Sequence, residues 1–151
     1  MPQSLAQILL HAVFSTKERR PFLREPNLRA EMHSYLGGIL NRQECRSIIV
    51  GGVEDHVHLL FSASKNLAPA DTIKELKRGS SLWIKERAVD QQDFAWQTGY
   101  GLFSVSYSQL ETVRNYIQRQ ETHHQRIDFQ NELRLLLKRY ALAFDDRYLW
   151  D

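Results

Sequence analysis

The chain has 151 residues, of which 42% are hydrophobic and 25% are charged, and its formal net charge is +2. These values are typical of a single globular domain, here residues 1–151, and they exclude a disordered chain. No apolar run approaches the roughly 18 residues of a membrane span, which argues against a membrane-spanning helix. The single cysteine, Cys45, excludes an internal disulfide. Together with the lack of a signal-peptide pattern, it favours a cytoplasmic location.

The first third of the chain predicts a strand, a loop and a helix. Residues 6–15 form an apolar run that is typical of a buried strand. Pro21 and Pro26 then interrupt regular structure in a basic loop. After Asn27, which suits an N-cap, apolar residues recur at helical spacing as far as Leu40, so a helix is expected there.

A β-hairpin and a second helix are expected next. Residues 46–53 and 56–62 are rich in apolar residues, and the glycine-containing turn between them is typical of a hairpin. Pro69 stands where a helix would begin, because proline is favoured at the first helical position. Apolar residues from Ile73 to Ile84 give this helix one buried side.

The last third predicts short strands and two further helices. Residues 94–97 and 101–107 are expected to be short strands, and Ser108 and Glu111 match a capping box that opens a helix. A final helix is expected over residues 128–140. The element order β-α-β-β-α-β predicts an α+β fold. It would be a ferredoxin-like, split βαβ antiparallel sheet with helices on one face and extra C-terminal helices.

Two local clusters of basic residues stand out against the small net charge. The first includes Arg19 and Arg20 in the early loop, and the second includes Lys74, Lys77 and Arg78 on the second predicted helix. Local basic patches are what binding to nucleic-acid phosphates requires. A charged loop and a solvated helix face would give the same pattern, so both interpretations stay open here.

Two histidines, His56 and His58, are separated by one residue on a predicted strand. Side chains at positions i and i+2 of a strand point to the same face, so the two imidazoles could share a metal ion. Val57 and Leu59 would point to the opposite face, into the core. A pair of solvated polar residues is the alternative interpretation of this spacing.

Tyr116 lies in the middle of the helix that follows residue 108, with Gln120 one turn later on the same face. A tyrosine at helical spacing is usually part of the core. Other residues of this helix already supply an apolar stripe, however, and Tyr116 lies at its edge beside Arg119 and His123. A polar setting for the phenol is therefore predicted.

Several sequence segments, taken in their order along the chain, resemble one enzyme family. GGVEDHVHLL, at residues 51–60, contains two histidines around one bulky apolar residue, which is the HUH motif. It is followed by APADTIKELKRGSS, WQTGYGLFSVS and VRNYIQRQETHH, and preceded by LLHAVFSTKERRPFL. In this order and at these distances they resemble the single-tyrosine HUH transposases of small insertion sequences, the IS200-like transposases, which move as single-stranded DNA. The resemblance covers residues 6–142.

This resemblance implies a metal-dependent endonuclease and strand transferase that works through a 5′-phosphotyrosine. Tyr116 would be the nucleophile, and the divalent metal, Mg²⁺ or Mn²⁺, would be held by His56, His58 and Gln120. A cation offsets charge on the scissile phosphate, and a phenol with a pKa of about 10 needs activation. Two imidazoles and a carboxamide are softer than Mg²⁺ prefers, so Mn²⁺, Co²⁺ or Ni²⁺ could bind more tightly.

The resemblance also implies the partners. Members of the family recognise hairpins in single-stranded DNA at transposon ends, and the two basic clusters would contact this DNA. Members of this size are typically homodimers with active sites completed in trans. Tyr116 of one subunit would then serve His56 and His58 of the other. Sequence spacing neither requires nor excludes that arrangement.

Four alternatives stay open. A histidine-triad hydrolase needs a third histidine where Leu60 stands. A non-catalytic or domesticated nucleic-acid-binding relative would keep the fold without the chemistry. A replication or conjugation nickase shares the HUH chemistry, but transposition is favoured because no second domain is predicted. A REP-associated tyrosine transposase is the nearest alternative, and the sequence separates it only weakly.

Overall fold

Four antiparallel strands form the central sheet in this computed structural model, which describes residues 3–124, 126–147 and 149–150. The strands are β1 (Leu9–Ser15), β2 (Arg46–Gly52), β3 (His56–Ser62) and β4 (Gly101–Ser104), in the spatial order β2-β3-β1-β4. All three strand pairings are antiparallel. This order is that of a split βαβ sheet, so the predicted α+β, ferredoxin-like fold is confirmed.

Two long helices cover one face of the sheet. They are α1 (Pro26–Arg42) and α2 (Pro69–Arg87), which are the two crossover connections between strands. The larger apolar core lies between these helices and the sheet, and it contains Val57, Leu59 and Phe61 of β3. The alternation of β3 therefore places these three apolar side chains on one face and leaves its histidines on the other.

The start of α1 differs from the prediction. Glu25, rather than Asn27, is the N-cap, and its carboxylate accepts hydrogen bonds from the backbone N–H groups of Asn27 and Leu28 at 2.9 and 2.6 Å. Pro26 belongs to the helix instead of interrupting it, because proline is favoured in the first turn, where no N–H is needed. The helix therefore begins two residues earlier than the Asn27 pattern suggested.

The C-terminal helices cover the opposite face of the sheet. They are α3 (Leu110–Gln118), α4 (Gln120–His123) and α5 (Phe129–Arg139). The prediction for the last helix is confirmed, and its N-cap Asp128 accepts a hydrogen bond from the Asn131 N–H at 2.9 Å. The predicted strand over residues 94–97 is reduced to a single bridge between Thr16 and Trp96.

The predicted capping box before α3 is wrong. A short 3-10 turn, Tyr107–Gln109, precedes the helix, and the N-cap Gln109 makes no side-chain capping bond. The Ser108 hydroxyl lies 3.0 Å from the Ser106 hydroxyl instead of reaching a helix N–H. The extra turn moves Ser108 out of the capping position.

A glycine sets the distance between α3 and the sheet. A Cβ on Gly51 of β2 would lie 2.8 Å from Ile117 Cγ2 and 2.9 Å from the Ile117 carbonyl oxygen. Any larger residue would push α3 away, together with Tyr116, which precedes Ile117.

None of the helices in the described residues has the length and apolar character of a membrane span.

Candidate active site

The histidine pair of β3 lies beneath the C-terminal helices. The side chains of His56 and His58 are both 0% exposed, and their ring centroids are 5.3 Å apart. Complete burial excludes the interpretation that they are solvated polar residues on an open strand face. Buried histidines need polar partners, and the surrounding elements supply them.

A buried carboxylate lies at the centre of this site. Glu132 of α5 is 1% exposed. Its Oε1 lies 3.0 Å from His58 Nε2 and 3.3 Å from His56 Nε2. The same oxygen lies 2.9 Å from His124 Nε2, at the end of α4. Three imidazole nitrogens therefore converge on one oxygen atom.

Tyr116 and Gln120 reach the other oxygen of the same carboxylate. The Tyr116 hydroxyl donates a hydrogen bond to Glu132 Oε2, and Gln120 Nε2 donates to that atom over 3.1 Å. The Gln120 carbonyl oxygen lies 3.1 Å from His56 Nε2. One chain thus brings together all four residues singled out in the sequence: Tyr116, His56, His58 and Gln120.

The charges in the site are set by burial and by these contacts. Although burial opposes its protonation, hydrogen bonds to Asp55 and Glu132 raise the pKa of His56 to about 9. Burial lowers the pKa of His58 in spite of the nearby Glu132 carboxylate. Burial also works against the charge on Glu132, yet the histidines hold its pKa far below the usual range. Burial and then Glu132 raise the pKa of the Tyr116 phenol, which therefore needs activation to react.

The residues present fit a divalent metal ion. His56, His58, His124 and Glu132 offer ligand atoms that all lie within 4.8 Å of one another. Imidazole suits several first-row transition metals, and the carboxylate adds the hard, charged oxygen that Mg²⁺ and Mn²⁺ prefer. Gln120 adds a neutral oxygen beside His56. Metal binding would require His56 to lose its proton, as is usual for ligating histidines.

Each histidine of the pair has a partner at its other ring nitrogen. The Asp55 carboxylate lies 2.7 Å from His56 Nδ1, and His11 Nε2 of β1 lies 2.8 Å from His58 Nδ1. Burial, followed by the neighbouring His58, lowers the pKa of His11 to about 3. If His58 offers its Nε2 lone pair to a metal, its Nδ1 must carry the proton. The Nδ1–H group then donates a hydrogen bond to Nε2 of the neutral His11.

Replacing His11 by phenylalanine is expected to weaken Mn²⁺ binding about 10- to 100-fold, the usual cost of losing an outer-shell partner of a metal ligand. The ring shape is kept, but the acceptor that fixes the tautomer of His58 is lost. Isothermal titration calorimetry measures the affinity, and circular dichroism checks the fold. His33→Phe on α1 is the control, and an unchanged affinity in His11→Phe would rule out this role.

Sequence reasoning missed Glu132 and His11 and gave His124 no role. The sequence did contain a signal for Glu132 and for His11. Glu132 shares the buried face of α5 with Leu133 and Leu136, so it is a single carboxylate in an apolar stripe. His11 is likewise the only ionisable side chain in the buried strand LLHAVFS. A charged or titratable residue on a buried face needs a partner, which is the reason to search for a site there.

Lys77, one of the five basic residues predicted to contact DNA, has internal partners. Its amine donates hydrogen bonds to the backbone carbonyls of residues 97–99, at distances of 2.8 to 3.0 Å. Partial burial lowers the pKa of Lys77 to about 8. All three donors of the ammonium are engaged, which argues against a phosphate contact and gives Lys77 a structural role.

The other four predicted residues are accessible but lie outside the buried cluster. Arg20 and Arg78 form ion pairs with surface carboxylates at 2.7 and 2.5 Å. Such pairs contribute only about 0–1 kcal/mol, so a phosphate can replace the carboxylate. Arg19 is partly exposed and Lys74 is exposed. DNA binding by these four residues stays a prediction.

Comparison with known proteins gives one family and several similar folds. The sequence matches the family described as "Transposase IS200 like" over residues 4–120. A protein from Deinococcus radiodurans R1 that is assigned as a transposase has a TM-score of 0.64 and 21% identity, over 80% of this chain and 95% of that chain. A REP-associated tyrosine transposase bound to a REP hairpin has a TM-score of 0.52 and 10% identity, over 80% and 68% of the two chains. No curated protein matches the sequence significantly.

Proposed function

The chain belongs to the IS200-like transposase family, and from this premise we propose that it cleaves and rejoins single-stranded DNA through a 5′-phosphotyrosine on Tyr116. The observation that carries the proposal is the convergence of Tyr116, Gln120 and the histidine pair on one buried carboxylate. A nucleophile held next to a set of metal ligands is the arrangement that metal-assisted phosphoryl transfer requires.

His56 and His58 would hold the divalent metal, Mg²⁺ or Mn²⁺, with Gln120, Glu132 and His124 as further ligands from the C-terminal helices. When bound, the metal offsets the negative charge that develops on the scissile phosphate and orients that phosphate. The chain itself supplies the orientation of the ligands through the contacts of His11 and Asp55 behind the histidine pair.

Tyr116 supplies the covalent step. Its phenolic oxygen attacks the phosphorus, the new O–P bond forms, and the 3′ oxygen of the neighbouring nucleotide leaves to become a 3′-hydroxyl. Glu132 Oε2 accepts the hydrogen bond of the phenol and is therefore placed to hold its proton as attack proceeds. The phosphotyrosine conserves the energy of the phosphodiester, so a second 3′-hydroxyl can attack it and rejoin the strand without ATP.

The proposal includes the partners that the family implies: single-stranded DNA with hairpins at transposon ends, and a second copy of the chain in a homodimer. The similar fold that binds a REP hairpin supports the hairpin and keeps a REP-associated function as the alternative. The family resemblance implies completion of the sites in trans, whereas the contact between Tyr116 and Glu132 within one chain supports completion in cis. Residues 1–151 are taken as one domain acting in the cytoplasm.

Formation of a covalent adduct tests the proposal. A single-stranded oligonucleotide from the ends of the encoding element carries its label at the 3′ end, because a 5′-phosphotyrosine retains the downstream fragment. With Mn²⁺ or Mg²⁺ we expect a labelled protein band on a denaturing gel, and with EDTA we expect none. DNA binding without an adduct in either metal would leave the chain as a non-catalytic binding relative.

A further inference from the structure

An open cleft of about 510 Å³ lies beside Tyr116 on the outer side of α3 and α4. Tyr116 forms part of its wall, and Arg119 and Arg126 line the same cleft. The side chains of Thr112, Asn115, Thr122 and His123 complete the polar part of the lining. The proposed nucleophile therefore borders an accessible space that carries positive charge. None of the five basic residues predicted from the sequence lines it.

The two arginines of the cleft differ from most arginines of this surface. Arg29 pairs with Glu121 at 2.8 Å, and Arg114 lies 3.9 Å from Glu111. Within the described part of the chain, no carboxylate lies within 4.0 Å of the guanidinium of Arg119 or Arg126, and both residues are exposed. Two unpaired guanidinium groups in one cleft attract anions and offer bidentate hydrogen bonds to phosphate oxygens.

The lining fits a strand of phosphates better than a single small anion. Arg119 is one turn from Tyr116, whereas Arg126 lies beyond the end of α4, so the two cations come from different parts of the lining. The hydroxyl and carboxamide groups of the same lining can contact the sugar-phosphate backbone, which needs donors but no base-specific pattern. A polyanionic chain would use both cations, while a single phosphate would use one.

We propose that this cleft binds the backbone of the DNA strand that is cleaved, with Arg119 and Arg126 on phosphates that flank the scissile one. The inference rests on the proposed function, because it takes single-stranded DNA as the substrate. It adds a strand-binding site formed by the helix of the nucleophile itself. The other four predicted basic residues, Arg19, Arg20, Lys74 and Arg78, are left for other parts of the DNA.

The test measures binding separately from cleavage. Binding of a fluorescent single-stranded oligonucleotide is followed by anisotropy in EDTA, for the full chain and for an Arg119→Ala, Arg126→Ala double variant. We expect binding about tenfold weaker in the variant. We also expect the slope of log affinity against log salt to fall by about 1.4, because each phosphate contact on a single strand contributes about 0.7.

The control is an Arg42→Ala, Arg46→Ala double variant, which removes the same charge from two exposed arginines at the end of α1 and the start of β2. If the cleft variant loses no more affinity than this control, the inference is wrong. The adduct assay on the unchanged protein distinguishes failure of the cleft proposal from failure of the proposed phosphotyrosine chemistry. An adduct together with an unaffected cleft variant overturns only the cleft, whereas binding without an adduct overturns the proposed chemistry.

Discussion

Replacing Tyr116 by phenylalanine is expected to lower formation of the covalent protein–DNA adduct by roughly 10⁴- to 10⁶-fold, as loss of the nucleophile does in other covalent enzymes. The change removes only the phenolic oxygen, because the ring keeps its packing against His58, with centroids 5.7 Å apart. Binding of single-stranded DNA should stay unchanged. The measurement is the 3′-label adduct assay at a saturating DNA concentration.

Tyr107→Phe is the matched control, since Tyr107 lies just before α3 and its side chain is 72% exposed. This variant should form the adduct at the normal rate. An adduct that persists in the Tyr116→Phe protein would show that another residue attacks the phosphate. Loss of DNA binding together with the adduct would instead show that the hydroxyl is needed to position the strand.

The same variant separates cis from trans completion of the site. It is mixed with a His56→Ala, His58→Ala chain, and heterodimers are verified by two affinity tags. Because one chain gathers the tyrosine and the histidines around Glu132, we expect no recovery of the adduct. Recovery in verified heterodimers would establish the trans arrangement that the family resemblance implies.

Replacing Glu132 by glutamine is expected to weaken Mn²⁺ binding by at least about 100-fold, more than the loss of an outer-shell partner, because it removes the only carboxylate of the ligand cluster. Glutamine keeps the size of the side chain and one acceptor oxygen. The loss is therefore one of charge rather than of packing. Isothermal titration calorimetry of the purified protein in the absence of DNA measures the affinity.

Glu121→Gln on α4 is the control, because it removes one negative charge near the site from an exposed residue. It should bind Mn²⁺ almost normally. Thermal unfolding in EDTA gives a second measurement for both variants. A Glu132→Gln protein that unfolds more easily but binds Mn²⁺ normally would show that Glu132 only joins the hydrogen bonds of the C-terminal helices to the sheet.

Local sequence patterns predicted most strands and helices correctly, but they predicted the first residues of the helices poorly. The period of two on β3 correctly separated Val57 and Leu59 from the histidines, since strand geometry alone decides which face a side chain takes. The N-cap of α1 and the box at Ser108 were wrong because several nearby polar side chains could cap each helix. Small differences in local geometry choose between such candidates.

The sequence by itself determined the spacings that put the proposed site residues on common faces: two residues for the histidine pair and one helical turn from Tyr116 to Gln120. Only the tertiary structure decided that Glu132 lies at the centre of the site, 74 positions from His58, and that His11 lies behind that histidine, 47 positions away. Periodicity shows which face of an element is buried. It does not show which element covers that face, because this depends on how the C-terminal helices pack across the completed sheet.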